Sequence, residues 1–201
     1  ITKLAKRNEG CSNADDNYGI PNLPNLETHF VTCDSLIALK KPQQYSLFEQ
    51  DVIELKKKLQ IIRHEHFMAK TIYQKTKLRN RDKELRDELA KILSDDDVIA
   101  SEDAMQMIAW NPYDQNGKST FFDSEWMFGI KDGFDIVIGN PPYIEAKKLK
   151  GKADKLKNYK VYSGSADYSI YFIEKGLYLC TPNGVVYYIT TNKFFNTGYG
   201  E

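Results

Sequence analysis

The sequence predicts an α/β protein, part of a doubly wound parallel sheet that carries a long helical insertion. Two short apolar runs contain β-branched and aromatic residues, Phe134, Ile136, Val137 and Ile138 in the first and residues 185–189 in the second, which indicates two strands buried in a parallel sheet. Residues 167–180 lie between these runs and have apolar positions at helical spacing, with Asp167 as the expected N-cap. The order strand, helix, strand is typical of a doubly wound sheet. Residues 181–184 (Thr-Pro-Asn-Gly) predict a turn before the second run.

The amino-terminal part predicts little regular structure. Residues 1–26 are polar and rich in turn-forming residues, so we expect a loop-rich lead-in. Residues 29–33 are a short strand candidate, closed by residues 34–36 (Asp-Ser-Leu).

Residues 46–93 predict long helices, because they contain no Gly or Pro and their apolar residues recur at steps of three and four. A break near Asn80 would give an antiparallel helical hairpin, and one long helix is the alternative. His64 and His66 suggest a metal site, but residues two apart on a helix point in nearly opposite directions. A solvated face or a helix-packing position is therefore the better interpretation. The first stripe is Val52, Leu55, Leu59, Ile62, His66, Ala69 and Tyr73, and the second is Leu78, Leu85, Leu89 and Ile92.

Composition leaves the partner open and favours a reducing compartment. The 201 residues include 28 basic and 28 acidic ones, so net charge argues neither for nor against nucleic acid. The three cysteines are far apart and in no metal spacing, which suits a cytoplasm. No apolar stretch approaches the length of a membrane span, and residues 1–3 do not open a signal peptide. The chain has no initiator Met, so we expect a piece of a longer protein.

The most informative residues are Asn140, Pro141, Pro142 and Tyr143, directly after the strand that ends at Gly139. Open α/β sheets bind ligands at the carboxyl ends of their strands, and two prolines make the turn rigid. The Asn140 side-chain oxygen and the Pro141 carbonyl are two uncharged acceptors that can face the two protons of an amine on an aromatic ring.

Such a pair of acceptors would localise the nitrogen lone pair, which otherwise delocalises into the ring. Tyr143 offers a face for stacking, worth about 1–3 kcal/mol per base, and a base presented in this way must be flipped out of the duplex. A plain Pro-Pro turn is the alternative interpretation, but it does not require Asn140 and Tyr143 together.

Residues 134–144 (Phe-Asp-Ile-Val-Ile-Gly-Asn-Pro-Pro-Tyr-Ile) resemble the catalytic motif of DNA methyltransferases that make N6-methyladenine with S-adenosylmethionine. The resemblance is closer to the methylase region of fused type II, subtype G, restriction–modification enzymes and related phage-defence methylases. In these, a stretch like residues 121–128 (Phe-Phe-Asp-Ser-Glu-Trp-Met-Phe) precedes the catalytic strand. The resemblance covers roughly residues 25–201 and implies a prokaryotic, cytoplasmic enzyme with a Rossmann-like fold and no metal for methyl transfer.

The resemblance also implies a domain division and further site residues. Residues 27–45 and 109–201 would form a partial methyltransferase catalytic domain, and residues 46–108 a helical insertion. Asp34, with Ser35, resembles the strand end that binds the adenine of the cofactor; a helix N-cap is the alternative role of Asp34. Phe172 would pack near the cofactor, and plain core packing is its alternative. Residues 183–195 resemble the next strand and its target-facing loop.

One motif of the family is absent from the sequence. An aromatic-x-Gly-x-Gly loop that grips the methionine end of the cofactor should precede Asp34, where only loop-like residues stand. We therefore expect the 201-residue chain alone to bind S-adenosylmethionine weakly by calorimetry and to show no measurable methyl transfer.

A lysine run follows the catalytic turn. Between residues 147 and 160 there are seven lysines and one acid, Asp154. Such runs are most often solvated faces, but this one lies where the phosphates of a flipped nucleotide must pass. We therefore predict that Lys147, Lys148, Lys150, Lys152, Lys155 and Lys157 contact DNA.

Two other functions remain open from the sequence. The glutamine methyltransferases of translation release factors carry a similar Asn-Pro-Pro-Tyr and also act on a planar amide nitrogen. Those enzymes are compact, whereas this chain has a long helical insertion. That difference and the lysine run favour DNA as the substrate. A helical interaction module on a degenerate methylase scaffold is the non-catalytic alternative, which the intact tetrapeptide disfavours. A nuclease and the DNA recognition sequence cannot be identified from these residues.

Overall fold

The computed structural model describes residues 24–39, 49–95, 101–148, 153–163 and 165–192. These residues form a mixed helix and strand structure with a small parallel sheet. The elements are α1 (Glu49–Met68), α2 (Ile72–Asp95), α3 (Ser101–Ala109), α4 (Ser124–Phe128), β1 (Phe134–Gly139), α5 (Ala153–Leu156), α6 (Tyr168–Leu179) and β2 (Cys180–Tyr188). Short 3-10 turns span Leu26–His29 and Ala146–Lys148. No helix in these ranges is both long enough and apolar enough to cross a membrane.

Strands β1 and β2 pair in parallel, as the sequence predicts, but the predicted turn at 181–184 is wrong. Phe134 lies opposite Cys180, whereas Ile136 lies opposite Val185. Over this interval β2 therefore contains three more residues than β1. Those residues form an irregularity inside β2 rather than a turn before it. Pro182 has no N–H for the ladder, which suits an irregular segment.

The prediction that both strands are buried is wrong for one face of the sheet. Ile138 is 75% exposed, and Ile136, Val185, Tyr187 and Ile189 are exposed beside it. The other face packs on α6, where a Cβ on Gly139 or Gly176 would lie 2.9 or 2.5 Å from the Tyr188 side chain. A single helix covers only one side of a two-stranded sheet, so the apolar run alone could not decide the burial of the other side.

The helical insertion forms a hairpin whose break lies at residues 69–71, not at the predicted Asn80. Thr71 and Gln74 form a capping box at the start of α2. The Thr71 hydroxyl accepts from the Gln74 N–H, and the Gln74 side chain accepts from the Thr71 N–H, both at 3.2 Å. The helices are antiparallel, since Arg63 contacts Asp82 and His66 contacts Arg79. The Thr-x-x-Gln spacing was the sequence signal for this break.

The hairpin packs against the aromatic segment that precedes β1. The buried residues of this cluster are Val52, Leu55, Leu59, Leu85, Leu89, Leu93, Met107, Trp110, Phe121, Trp126 and Met127. The first predicted stripe is confirmed from Val52 to His66, which is fully buried, but Tyr73 lies beyond the break and is exposed. The packing interpretation of His66 is therefore correct, and His64 is solvent-exposed.

A buried ion triad joins the two hairpin helices to the rest of the chain. Asp82 is fully buried and accepts from Arg63 Nε at 2.9 Å and from Arg86 Nε at 2.7 Å. Arg63 also donates to the Trp126 carbonyl, and Arg86 to the Trp110 carbonyl. These bonds fix the orientation of the hairpin relative to the segment that leads into β1.

The predicted strand at residues 29–33 is largely wrong. His29 ends a 3-10 turn, and Cys33 alone forms an isolated parallel bridge, with Ser119. The bridge is held by backbone bonds from Ser119 to Thr32 and from Asp34 to Ser119. It nevertheless places Asp34 beside the segment that enters the sheet.

Candidate active site at the carboxyl end of strand β1

The turn Asn140–Tyr143 follows directly from the last residue of β1, so this strand positions its backbone. Pro141 is buried, whereas Asn140, Pro142 and Tyr143 are exposed. The ladder continues one residue past β2, because the Ile189 N–H donates to the Gly139 carbonyl at 3.1 Å. The backbone immediately before Asn140 is therefore held by the strand ladder, and the side chains of Asn140 and Tyr143 face solvent.

The Tyr143 hydroxyl joins the turn to the residue after β2. Its oxygen lies 2.6 Å from the Ile189 carbonyl oxygen and 3.2 Å from the Asn140 side-chain oxygen. Both partners are acceptor oxygens, and a phenol has one proton, so it donates fully to only one of them. The much shorter contact identifies the Ile189 carbonyl as the acceptor of that proton. The Asn140 side-chain oxygen is then a weaker, second acceptor of the same hydroxyl.

Three segments that were predicted separately meet in one buried cluster beside the turn. Leu36, from the Asp34 segment, packs with Ile144, which follows Tyr143, and with Phe172 of α6. The Tyr159 hydroxyl donates to the Leu36 carbonyl at 2.6 Å. The structure thus brings the predicted cofactor residues and the predicted catalytic turn into one region.

Asp34 begins a tight turn in which the Ile37 N–H donates to the Asp34 carbonyl at 3.1 Å. Its alternative role as a helix N-cap finds no support there, because residues 35–39, which follow it directly, form no helix. Burial, and secondly the nearby Asp34 carboxylate, raises the pKa of both Cys33 and Tyr168. The half-buried carboxylate therefore lies near the start of α6, where a ligand amine or hydroxyl could donate to it.

Phe172 packs edge-to-face on Tyr168, with ring centroids 5.4 Å apart, and is half-buried. Core packing accounts for its contacts, and its role near a cofactor remains a prediction. Asp167 occupies the N-cap position of α6, but its side chain makes no capping bond, which corrects that prediction. Instead the Tyr168 N–H donates to the Ile144 carbonyl at 2.8 Å. This backbone bond connects α6 to the residue after the predicted catalytic turn.

The lysine run is described in part. Lys147, Lys148 and Lys155 are exposed, whereas Lys157 pairs with Asp154 at 2.5 Å. Lys150 and Lys152 lie outside the described residues. Leu156 is 2% exposed and belongs to the buried cluster, so the middle of the run is anchored to the site.

Sequence reasoning missed the groups that fix the position of the Asn140–Tyr143 turn and of the cluster beside it. The Ile189 carbonyl, the Ile144 carbonyl and the Tyr159 hydroxyl are parts of ordinary strand, turn and aromatic residues. Their roles depend on contacts between segments far apart in sequence, such as Tyr159 with Leu36. No local pattern identifies such contacts.

Comparison with known proteins decides the family. Residues 56–201, more than half of the chain, match the family described as Eco57I restriction-modification methylase. The chain belongs to this family. The matched range includes most of the helical hairpin as well as the Asn140–Tyr143 turn, so both are parts of a methylase region.

Two curated relatives of this methylase chain are similar over short stretches. The release factor glutamine methyltransferase of Buchnera aphidicola subsp. Acyrthosiphon pisum (strain APS) is 39% identical over 66 residues, which cover 31% of this chain and 24% of the relative. The type II methyltransferase M.BstVI of Geobacillus stearothermophilus is 31% identical over 70 residues, 34% of this chain and 12% of that protein. The methylase chain therefore spans a quarter or less of each relative. No solved structure matches it.

Proposed function

We propose that this methylase chain carries the catalytic turn of a DNA adenine-N6 methyltransferase within a restriction–modification or phage-defence enzyme. The observation that carries the proposal is the position of Asn140 and Pro141 at the carboxyl end of a strand in a parallel pair, with Tyr143 beside them. We also propose that the strand–helix–strand unit β1, α6 and β2 belongs to a Rossmann-like sheet, whose ligand sites lie at this edge.

The turn supplies two uncharged acceptors for one amine. The side-chain oxygen of Asn140 and the carbonyl of Pro141 accept the two protons of an adenine amine that has left the base stack. Accepting both protons localises the nitrogen lone pair and points it away from the turn. Because these dipoles are fixed before the substrate arrives, they need no reorganisation during the reaction. Tyr143 then provides the stacking face for the base.

The Tyr143 hydroxyl orients the Asn140 amide. Since the hydroxyl donates to the Ile189 carbonyl, its lone pair is satisfied best by an N–H of the Asn140 amide. The oxygen and nitrogen of a side-chain amide exchange places by rotation about one bond. In the structure the amide oxygen faces the hydroxyl, and the rotated orientation, with nitrogen toward Tyr143, turns the amide oxygen toward the substrate. A single hydroxyl thereby selects the catalytically useful end of the amide.

The site residues near Asp34 fit the nucleoside half of S-adenosylmethionine. A half-buried carboxylate beside Tyr168 accepts from an adenine amine or a ribose hydroxyl, and Phe172 adds an apolar ring to the same cluster. When bound, that cofactor supplies a methyl group on a sulfonium sulfur. The chain's own residues hold the acceptor amine and orient its lone pair, and no covalent intermediate with the protein is needed. Exposed Lys147, Lys148 and Lys155 support the proposal that the lysine run contacts phosphates of the DNA.

A protein glutamine amide is the second candidate substrate. The similarity to a release factor glutamine methyltransferase favours it, because a glutamine amide also has a planar nitrogen with two protons. The same two acceptors would serve that substrate. The lysines after the turn favour the polyanion, since a glutamine side chain offers no phosphates.

The test compares methyl transfer to the two substrates by the full natural protein that contains this chain. We expect labelled methyl groups in adenine-containing duplex DNA and none in a release factor. Asn140→Ala should lower kcat by about 10²–10³-fold, the usual effect of removing one fixed dipole at a reacting centre. Asn183→Ala, which changes an exposed asparagine at the opposite end of the sheet, is the matched control and should be silent. Transfer to the release factor alone, or full activity of Asn140→Ala on DNA, would overturn the proposal.

A further inference from the structure

We propose that the tip of the α1–α2 hairpin is a second DNA-binding surface, which contacts duplex backbone independently of the catalytic turn. The hairpin tip comprises residues 68–77, the end of α1, the connection and the first turns of α2. The inference rests on the proposed function only in taking duplex DNA as the substrate. Neither the catalytic chemistry nor the lysine run after Tyr143 involves these residues.

The hairpin tip exposes large apolar side chains. Met68, Ile72 and Tyr73 are 61%, 84% and 77% exposed. They lie within six residues of one another, at the end of the hairpin that extends away from its leucine core. Single exposed apolar residues are normal on a protein surface, but three large ones within one short segment indicate a contact site. Tyr73 is also the last residue of the predicted apolar stripe, and it is exposed rather than packed in the core.

The charge of the hairpin tip has one sign. Residues 66–81 contain five Lys and Arg residues and no acid. Arg79 is paired with Glu27 and Arg81 with Glu84. Lys70, Lys75 and Lys77 have no ion pair among the described residues, and Glu65 is the one carboxylate lining the open groove along the tip. Three cations without a described ion pair therefore lie in the same ten-residue tip as the apolar side chains, which suits a polyanion.

The connection at the tip is rigid before any partner binds. The capping box of Thr71 and Gln74 holds the start of α2. Asn25 donates its side-chain N–H groups to the carbonyls of His66 and Ala69, both at 2.7 Å, and so closes the end of α1. Binding at this surface then orders little backbone, and the exposed side chains keep their spacing.

The arrangement of cations around an apolar centre matches a DNA groove. Ile72 and Lys75 are three apart on α2, and Tyr73 and Lys77 four apart, so each apolar residue has a lysine on its own face. A duplex presents phosphates along both rims of a groove and apolar sugar surface between them. Lysines that contact phosphates beside apolar side chains that contact sugars carry no sequence information. We therefore expect this contact to be independent of base sequence.

The experiment measures binding of the 201-residue chain to two unrelated DNA duplexes by fluorescence anisotropy over a series of salt concentrations. The test variant is Lys70→Gln/Lys75→Gln/Lys77→Gln. The matched control is Lys56→Gln/Lys57→Gln/Lys91→Gln, which removes the same charge near the other end of the hairpin, where these lysines also have no described ion pair. All six changes keep helix-forming side chains, and equal thermal midpoints check that each variant is folded.

Each lost phosphate contact lowers the slope of log affinity against log salt by about 0.9. The test variant should therefore have a slope smaller by about 2.7, so that its loss of affinity between 50 and 200 mM salt is about 40-fold smaller than that of the parent chain. The control should keep the parent slope on both duplexes. Ile72→Gln/Tyr73→Gln should weaken binding and leave the slope unchanged.

Equal slopes for the test and control variants, or no DNA binding by the folded parent chain, would overturn the inference and point to an acidic protein surface as the occupant. Asn140→Ala separates this result from failure of the proposed function. In the Asn140→Ala background the three tip substitutions should lower the salt slope by the same amount, although methylation is lost. Equal slopes for the test and control variants, with DNA methylation by the full protein intact, would refute the inference alone and leave the proposed function standing.

Discussion

The buried ion triad offers the sharpest test of how the hairpin is held. Asp82→Asn keeps the shape of the side chain but removes its charge and one of its two acceptor oxygens. Arg63 and Arg86 then remain as guanidinium groups with side chains 8% exposed and no carboxylate between them. Because α1 and α2 are joined through this carboxylate, the variant perturbs their packing without creating a cavity.

The cost follows from the contacts that are lost. Each charge-assisted hydrogen bond of Asp82 contributes about 1.5–3 kcal/mol, and removing one partner of a buried ion pair costs about 3–5 kcal/mol. The arginines keep their bonds to the carbonyls of Trp126 and Trp110, which lowers the penalty. We therefore expect a loss of about 3 kcal/mol of unfolding free energy, a large part of the 5–15 kcal/mol that stabilises a typical domain.

The assay is urea unfolding of the 201-residue chain, followed by far-ultraviolet circular dichroism. With a slope of about 2 kcal/mol per molar urea, the midpoint should fall by about 1.5 M. Asp87→Asn on the same helix is the matched control, since Asp87 pairs with Lys83 at the surface and such pairs contribute less than about 1 kcal/mol. If Asp82→Asn shifted the midpoint no more than Asp87→Asn does, the triad would not hold the hairpin.

Three further predictions test the site and its support. Tyr143→Phe should keep the stacking ring but free the Asn140 amide, so kcat should fall about fivefold to tenfold with the Kd for DNA unchanged; an unchanged kcat would contradict the role of the hydroxyl. Gly176→Ala should destabilise the chain by about 1–2 kcal/mol in urea unfolding, because its Cβ would lie 2.5 Å from the Tyr188 hydroxyl, and Tyr188→Phe should restore part of that loss. Burial lowers the pKa of His66 below its usual 6.5, so the stability that this neutral histidine contributes is present above pH 6.5 and is lost as the pH falls through its folded pKa. His66→Gln should therefore lose less stability than the parent chain when unfolding is compared at pH 7.5 and 5.5, and equal losses would show that His66 does not titrate with folding.

Local patterns predicted the elements better than their surroundings. The helix at residues 168–179 and the two parallel strands follow from apolar spacing and β-branched residues that act over a few neighbours. The hairpin was one of two alternatives, and its break was misplaced by about ten residues because the apolar period carried more weight than the Thr71–Gln74 capping box. The predicted turn at 181–184 was wrong because Pro182 and Gly184 also suit an irregular strand.

The family and the tetrapeptide were readable from the residues alone, because a strand that ends on Asn140-Pro141-Pro142-Tyr143 needs only adjacent positions to define its chemistry. What surrounds the turn was decided by tertiary structure. The Tyr143 hydroxyl finds the Ile189 carbonyl across 46 residues, and Tyr159 finds the Leu36 carbonyl across 123. Such contacts depend on how separate segments pack together, which neither propensity nor periodicity within one segment specifies. The same reason explains why the exposed sheet face and the rigid, basic hairpin tip became visible only in the folded chain.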